Sequence, residues 1–155
     1  APLIKINISN IKWSGLSNTD SDGLLFFERC YIVRCQDLTL GDIAKTTADA
    51  LTIRNAFNFE WNGGSISGNF PTADNRYGVH IGSDDPDAWA TSNVAFRNCL
   101  IQYNGINAIR VTQDSNIFDN LIIDNSSLGK NGEWHVYVNE TDLSNLTIKN
   151  GHFED

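Results

Sequence analysis

Val94-Ala95-Phe96-Arg97-Asn98-Cys99-Leu100-Ile101 decides the fold. Val94 and Phe96 alternate with their neighbours as inward residues, an asparagine follows, and an apolar pair resumes at Leu100 and Ile101. Alternation over so few residues is the pattern of a short strand with one buried face. Asparagine tolerates the left-handed turn conformation and can bond neighbouring amides. The phrase from Phe96 to Ile101 returns as Phe118-Asp119-Asn120-Leu121-Ile122-Ile123 and as Ile148-Lys149-Asn150-Gly151-His152-Phe153. Upstream, Phe27-Glu28-Arg29-Cys30-Tyr31-Ile32 and Trp61-Asn62-Gly63-Gly64-Ser65-Ile66 keep its outer apolar pair, and Ile8-Ser9-Asn10-Ile11-Lys12-Trp13 reads as the first copy. A self-similar unit of at least about 20 residues, too small to bury its own apolar face, implies a solenoid.

A second strand falls between the phrases. Ala50-Leu51-Thr52-Ile53, Gly78-Val79-His80-Ile81, Ala108-Ile109-Arg110-Val111 and His135-Val136-Tyr137-Val138 align. Stacked one rung apart, Leu51, Val79, Ile109 and Val136 form one inward column, with Ile53, Ile81, Val111 and Val138 beside it. Thr52, His80, Arg110 and Tyr137 then point outward, flanked by Ala50, Gly78, Ala108 and His135. Asn10, Asn98, Asn120 and Asn150 are expected to share one corner; Gly63 suits a left-handed turn there and Arg29 does not. No window carries a convincing helical period, although Thr39 to Leu51 leaves room for one turn. The expected fold is all-β, a single right-handed parallel β-helix of about five or six rungs spanning residues 1–155. The last copy runs to the end of the sequence with no polar cap, so one or both caps are expected to lie in a longer chain or a partner.

The 155 residues carry 11 basic and 19 acidic side chains, a net charge of -8. That balance argues against nucleic acid or an anionic membrane as partner, since phosphate recognition needs clustered Lys and Arg. Apolar runs are too short for a membrane-spanning helix. Cys30, Cys35 and Cys99 allow at most one intrachain disulfide and read as buried small hydrophobes. Neither a metal nor a cofactor is expected.

The repeated apolar-x-Asn phrase and the segment Trp61 to Asn69 resemble the pectate-lyase-like right-handed parallel β-helices, most of all bacteriophage tailspikes and related polysaccharide depolymerases. The resemblance covers roughly residues 4–155. It implies a virion or extracellular location, a homotrimer, and a bacterial surface polysaccharide or oligosaccharide as partner. The ordered catalytic signature of polygalacturonases is missing as a set, and so are the calcium cluster and catalytic arginine of pectate lyases.

Insertions around the His80 strand mark a candidate site: residues 70–77, 82–91 and 125–132. In a solenoid such loops wall a groove along one outer face. Aromatic faces stack on sugar rings, so Trp89, Trp134 and Tyr137 are expected to bind substrate, together with Arg110, His135 and Asp85. Arg110 offers a planar fork for a uronate or sialate carboxylate. His80 is an acid/base group near neutral pH. Asp87 and Glu133 are the expected carboxylate pair, on rungs separated by roughly 9 to 10 Å, a spacing that favours inverting hydrolysis over a retaining mechanism. Hydrolysis is favoured over β-elimination. The alternatives are a non-catalytic spike shaft or capsid decoration, and a carbohydrate-binding module without catalysis.

Overall fold

The computed structural model describes residues 5–14, 24–43, 49–68, 77–83, 91–113, 118–138 and 143–154. Every regular element among them is a strand: β1 (Ile6–Ser9), β2 (Lys12–Ser14), β3 (Leu25–Glu28), β4 (Val33–Ile43), β5 (Leu51–Arg54), β6 (Phe57–Gly68), β7 (Tyr77–Ser83), β8 (Ser92–Arg97), β9 (Leu100–Gln102), β10 (Asn107–Gln113), β11 (Phe118–Asp124), β12 (Ser127–Gly129), β13 (Trp134–Val138), β14 (Leu143–Lys149) and β15 (His152–Glu154). The pairings are parallel, and each strand bonds its counterpart one winding later. The chain is therefore a parallel β-helix. Its ladders form a ten-stranded sheet and a five-stranded sheet ordered β13-β10-β7-β5-β3. Thr39 to Ile43, where one helical turn had room, belongs to β4.

The ten-stranded sheet folds sharply along one line. Asn10, Asp37, Gly63, Asn98, Asn125 and Asn150 follow one another there, with φ of 56°, 52°, 79°, 53°, 47° and 50°. Each lies just past a register-matched pair such as Ser9 and Gln36, Asn62 and Arg97, or Asp124 and Lys149. A left-handed residue reverses the pleat for one step, so the strand resumes in a new direction. Gly64 adds a second positive φ, and a Cβ there would meet the Leu38 carbonyl oxygen at 1.8 Å, so only glycine fits. The side chains bond along the helix axis: Asn98 Nδ2 donates to Asn62 Oδ1 at 2.8 Å, and Asn125 Nδ2 to Asn98 Oδ1 at 2.7 Å. Both Asn98 and Asn125 are exposed, so the ladder runs along the outside of the corner.

Two readings of the repeat need correction. Asn120 lies inside β11 opposite Asn145, and Asn125 occupies the corner. The inward residues Leu121 and Ile123 stack on Val94 and Phe96, which places Asp124-Asn125 opposite Arg97-Asn98. The phrase Phe118-Asp119-Asn120 only resembles the corner by composition. Phe27-Glu28-Arg29 likewise belongs to the five-stranded sheet, where Arg29 (φ 53°) and Asn55 (φ 50°) make a different corner. The copy at the first corner is Cys35-Gln36-Asp37.

The core follows the expected columns. Leu51, Val79 and Ile109 are in register and fully buried, as are Ile53, Ile81 and Val111; Val136 and Val138 pack against them, half buried. Across the core, Phe27 meets Phe59 edge-on with centroids 5.4 Å apart, and Phe59 meets Phe96 at 6.1 Å. Leu146, Ile148 and Phe153 continue the columns of Leu121, Ile123 and Leu128 but remain 45%, 41% and 43% exposed. No strand among the described residues covers them.

Two stability measurements follow. Ile109→Ala removes a fully buried side chain from a stacked column and is expected to cost about 2–5 kcal/mol in denaturant unfolding; a loss below about 0.5 kcal/mol would place Ile109 outside the core. At the corner, Asn98→Gly is expected to be tolerated better than Asn98→Val, which forces a β-branched side chain to positive φ at a cost of roughly 1–2 kcal/mol. Equal stability of the two variants would contradict the left-handed assignment.

Candidate functional site

The outer face of the five-stranded sheet carries the expected column in register: Phe26, Thr52, His80, Arg110 and Tyr137 lie on adjacent strands. Neighbouring parallel strands are about 4.8 Å apart, so successive residues of the column are neighbours across the ladder. Arg110 lies between two rings, with its guanidinium carbon 4.7 Å from the Tyr77 centroid and 5.4 Å from that of Tyr137. Its Nη1 also donates to the Tyr77 hydroxyl. Tyr77 itself is buried and meets the His80 ring edge-on at 5.7 Å. The guanidinium is thereby positioned by three contacts, two with rings and one with the Tyr77 hydroxyl.

His80 is fixed from both sides. Asp49 Oδ2 lies 2.9 Å from its Nδ1, and Thr112 Oγ1 lies 2.5 Å from its Nε2. Asp49 is buried, while His80 and Thr112 are half buried. A carboxylate can only accept, so Nδ1 carries a proton, and in the tautomer that leaves Nε2 bare this second nitrogen is the acceptor. Thr112 then donates its hydroxyl proton toward Nε2. Neither Asp49 nor Thr112 stood out in the sequence. The alternation that pointed His80 and Arg110 outward also points Thr112 outward, two residues past Arg110; Asp49 precedes its strand and has no such signal.

Trp134 opens β13 with 59% of its surface exposed, and its backbone N–H donates to Asn107 Oδ1 at 3.2 Å. Glu133 beside it is exposed and anchored by its backbone N–H to the Ile106 carbonyl at 2.7 Å. His135 is half buried and packs against Phe153, ring centroids 5.4 Å apart, on the flanking column that holds buried Ala50 and Ala108. The structure thus gathers His80, Arg110 and Tyr137, with Trp134 and Glu133 at the rim of the same strand set. Asp85, Asp87 and Trp89 lie outside the described residues.

A cleft of about 450 Å³ opens elsewhere, on the outer face of the ten-stranded sheet. Asn58, Asn93 and Asn120 line it from one register column and Arg34, Glu60, Ala95 and Ile122 from the next but one, with Arg97 beyond. Arg97 is held within it, Nε 3.4 Å from Glu60 Oε1 and Nη1 3.0 Å from Asp124 Oδ2. Groups of His, Cys, Asp and Glu able to hold a metal are absent among the described residues.

Cys30, Cys35 and Cys99 are free and buried. Desolvation pushes the Cys35 pKa up to about 12 and the Cys99 pKa up to about 11, the latter despite a hydrogen bond between Cys99 and Ser126.

Comparison of the chain with protein-family models, curated proteins and solved structures finds no match. The fold therefore rests on strand register alone, and the site on its geometry.

Burial of the thiols sets a pH dependence. Both pKa values are raised in the folded state, so their contribution to stability is whole below the unfolded value near 9.0 and is lost as pH climbs through about 11 to 12. Iodoacetamide at pH 8 is expected to spare Cys35 and Cys99 in the folded chain and to modify both in denaturant. Rapid alkylation of either thiol in the folded chain would contradict its burial.

Proposed function

We propose that this β-helix recognises and cleaves a bacterial surface polysaccharide, as part of a virion tailspike or a secreted depolymerase. The observation that supports this reading is the Tyr77, Arg110 and Tyr137 stack with exposed Trp134 beside it. A planar cation flanked by aromatic faces suits a ligand with both a carboxylate and apolar ring faces, as a uronate or sialate unit has. On this reading Arg110, Tyr137, Trp134, Trp89, Asp85 and His135 bind the chain. Asp87 and Glu133 act on the glycosidic bond, with His80 as a further acid/base group. The protein works as a homotrimer.

A structural role, as a shaft or capsid decoration, is the second reading. Its support is the row of core-facing Leu146, Ile148 and Phe153, whose exposed apolar surface suits stacking contacts better than solvent.

Incubation with capsular or O-antigen polysaccharides separates these readings. The parent is expected to release reducing ends. Arg110→Ala should weaken polysaccharide binding at least about tenfold, in line with loss of a charge-assisted pair, while costing stability only the roughly 0.5–2 kcal/mol of lost ring stacking. Asp87→Asn and Glu133→Gln should abolish release and spare binding. Full activity in all three variants would move the site off this face. Binding without release would leave a lectin-like module, and neither activity would favour the structural role.

A further inference from the structure

We propose that Asp49, His80 and Thr112 form an acyl-transfer site that hydrolyses a small O-acyl ester, with Thr112 as nucleophile. This activity is separate from glycosidic cleavage and does not depend on it. The chain of contacts is the one such chemistry needs: a hydroxyl within hydrogen-bond reach of a base, and the base oriented by a third group. Thr112 Oγ1 lies 2.5 Å from His80 Nε2, and His80 Nδ1 lies 2.9 Å from Asp49 Oδ2. The carboxylate is buried and the imidazole is almost so, with side-chain exposures of 3% and 15%. Burial keeps the Asp49 charge undiluted by water, so it stabilises the imidazolium that forms when Nε2 takes a proton.

Two strands and the entry to a third assemble the site, with His80 and Thr112 placed by register and Asp49 just ahead of β5. His80 on β7 faces Arg110 on β10, so Thr112, two residues further along β10, is its diagonal neighbour. Gly82 is the residue paired directly with Thr112. A Cβ at Gly82 would stand 3.4 Å from His80 Nε2 and 3.5 Å from Thr112 Oγ1. The glycine therefore leaves the flank of the reacting pair without a side chain. The same Cβ would meet the Thr112 carbonyl at 2.7 Å, so a side chain at this position would crowd the ladder as well as the reacting pair.

The steps balance with water as the only co-reactant. Thr112 Oγ bonds to the ester carbonyl carbon as its proton passes to His80 Nε2. The tetrahedral adduct collapses, the bond to the alkoxy oxygen breaks, and the departing alcohol takes that proton from Nε2. Water then attacks the acyl-threonine, giving its proton to Nε2, and Nε2 returns a proton to Thr112 Oγ as the carboxylic acid leaves.

The probe is 4-nitrophenyl acetate with the full chain. The parent is expected to release nitrophenolate with saturation, and acid-quenched samples should carry one acetyl on the peptide containing Thr112. Thr112→Val and His80→Gln should lower the rate roughly a hundredfold or more, the range of a lost general base or nucleophile, while Thr112→Ser retains activity. Circular dichroism shows whether each variant is folded, and the acetyl position in the parent is readable whether or not a variant folds. Acetyl found only on lysines or on other residues, a folded Thr112→Val that keeps the parent rate, or a parent no faster than buffer would each overturn the assignment.

Discussion

A left-handed residue costs an L-amino acid about 1–2 kcal/mol, and this chain places one at the same corner in successive windings. Asparagine lowers that cost because its short amide bonds locally, and glycine removes it. Asn10, Asn98, Asn125 and Asn150 take the first route, Gly63 the second, and Asp37 behaves as its asparagine neighbours do. Once the corner is fixed, the strand before it and the strand after it are both in register with their counterparts. Because side chains alternate with a period of two, a slip by one residue would turn Val94 and Phe96 to solvent and Arg97 to the core. The Asn62, Asn98 and Asn125 amides reinforce the same register from outside.

A rigid ladder turns sequence alternation into surface geometry. Residues two apart on one strand and one rung apart on the next become neighbours, so His80 touches groups from β5's entry and from β10. Buried Asp49 would be costly without a partner, and the His80 N–H offsets part of that desolvation. The Arg110 sandwich works similarly, with stacking worth about 0.5–2 kcal/mol depending on how dry the guanidinium is. By contrast, the Arg97 pairs with Glu60 and Asp124 are about one-third exposed and contribute little to stability. Their weight falls on the shape and charge of the cleft beside them.

The order of residues alone showed a repeated unit of short strands, because apolar alternation and asparagine placement are local properties. It also determined which residues of the second strand face inward: Leu51, Val79, Ile109 and Val136 were legible as a column since every rung repeats the same parity. Outward His80, Arg110 and Tyr137 followed from the same parity. The corner was only partly legible. Phe118-Asp119-Asn120 matches the phrase as well as Ile123-Asp124-Asn125 does, and only stacking of Leu121 and Ile123 on Val94 and Phe96 selects the second. Arg29 and Asn55 show the limit again, since a second left-handed corner looks the same in sequence as the first. The tertiary structure alone decided what His80 touches. Asp49 and Thr112 lie 31 and 32 residues from it, a separation set by loop lengths that no short-range pattern encodes.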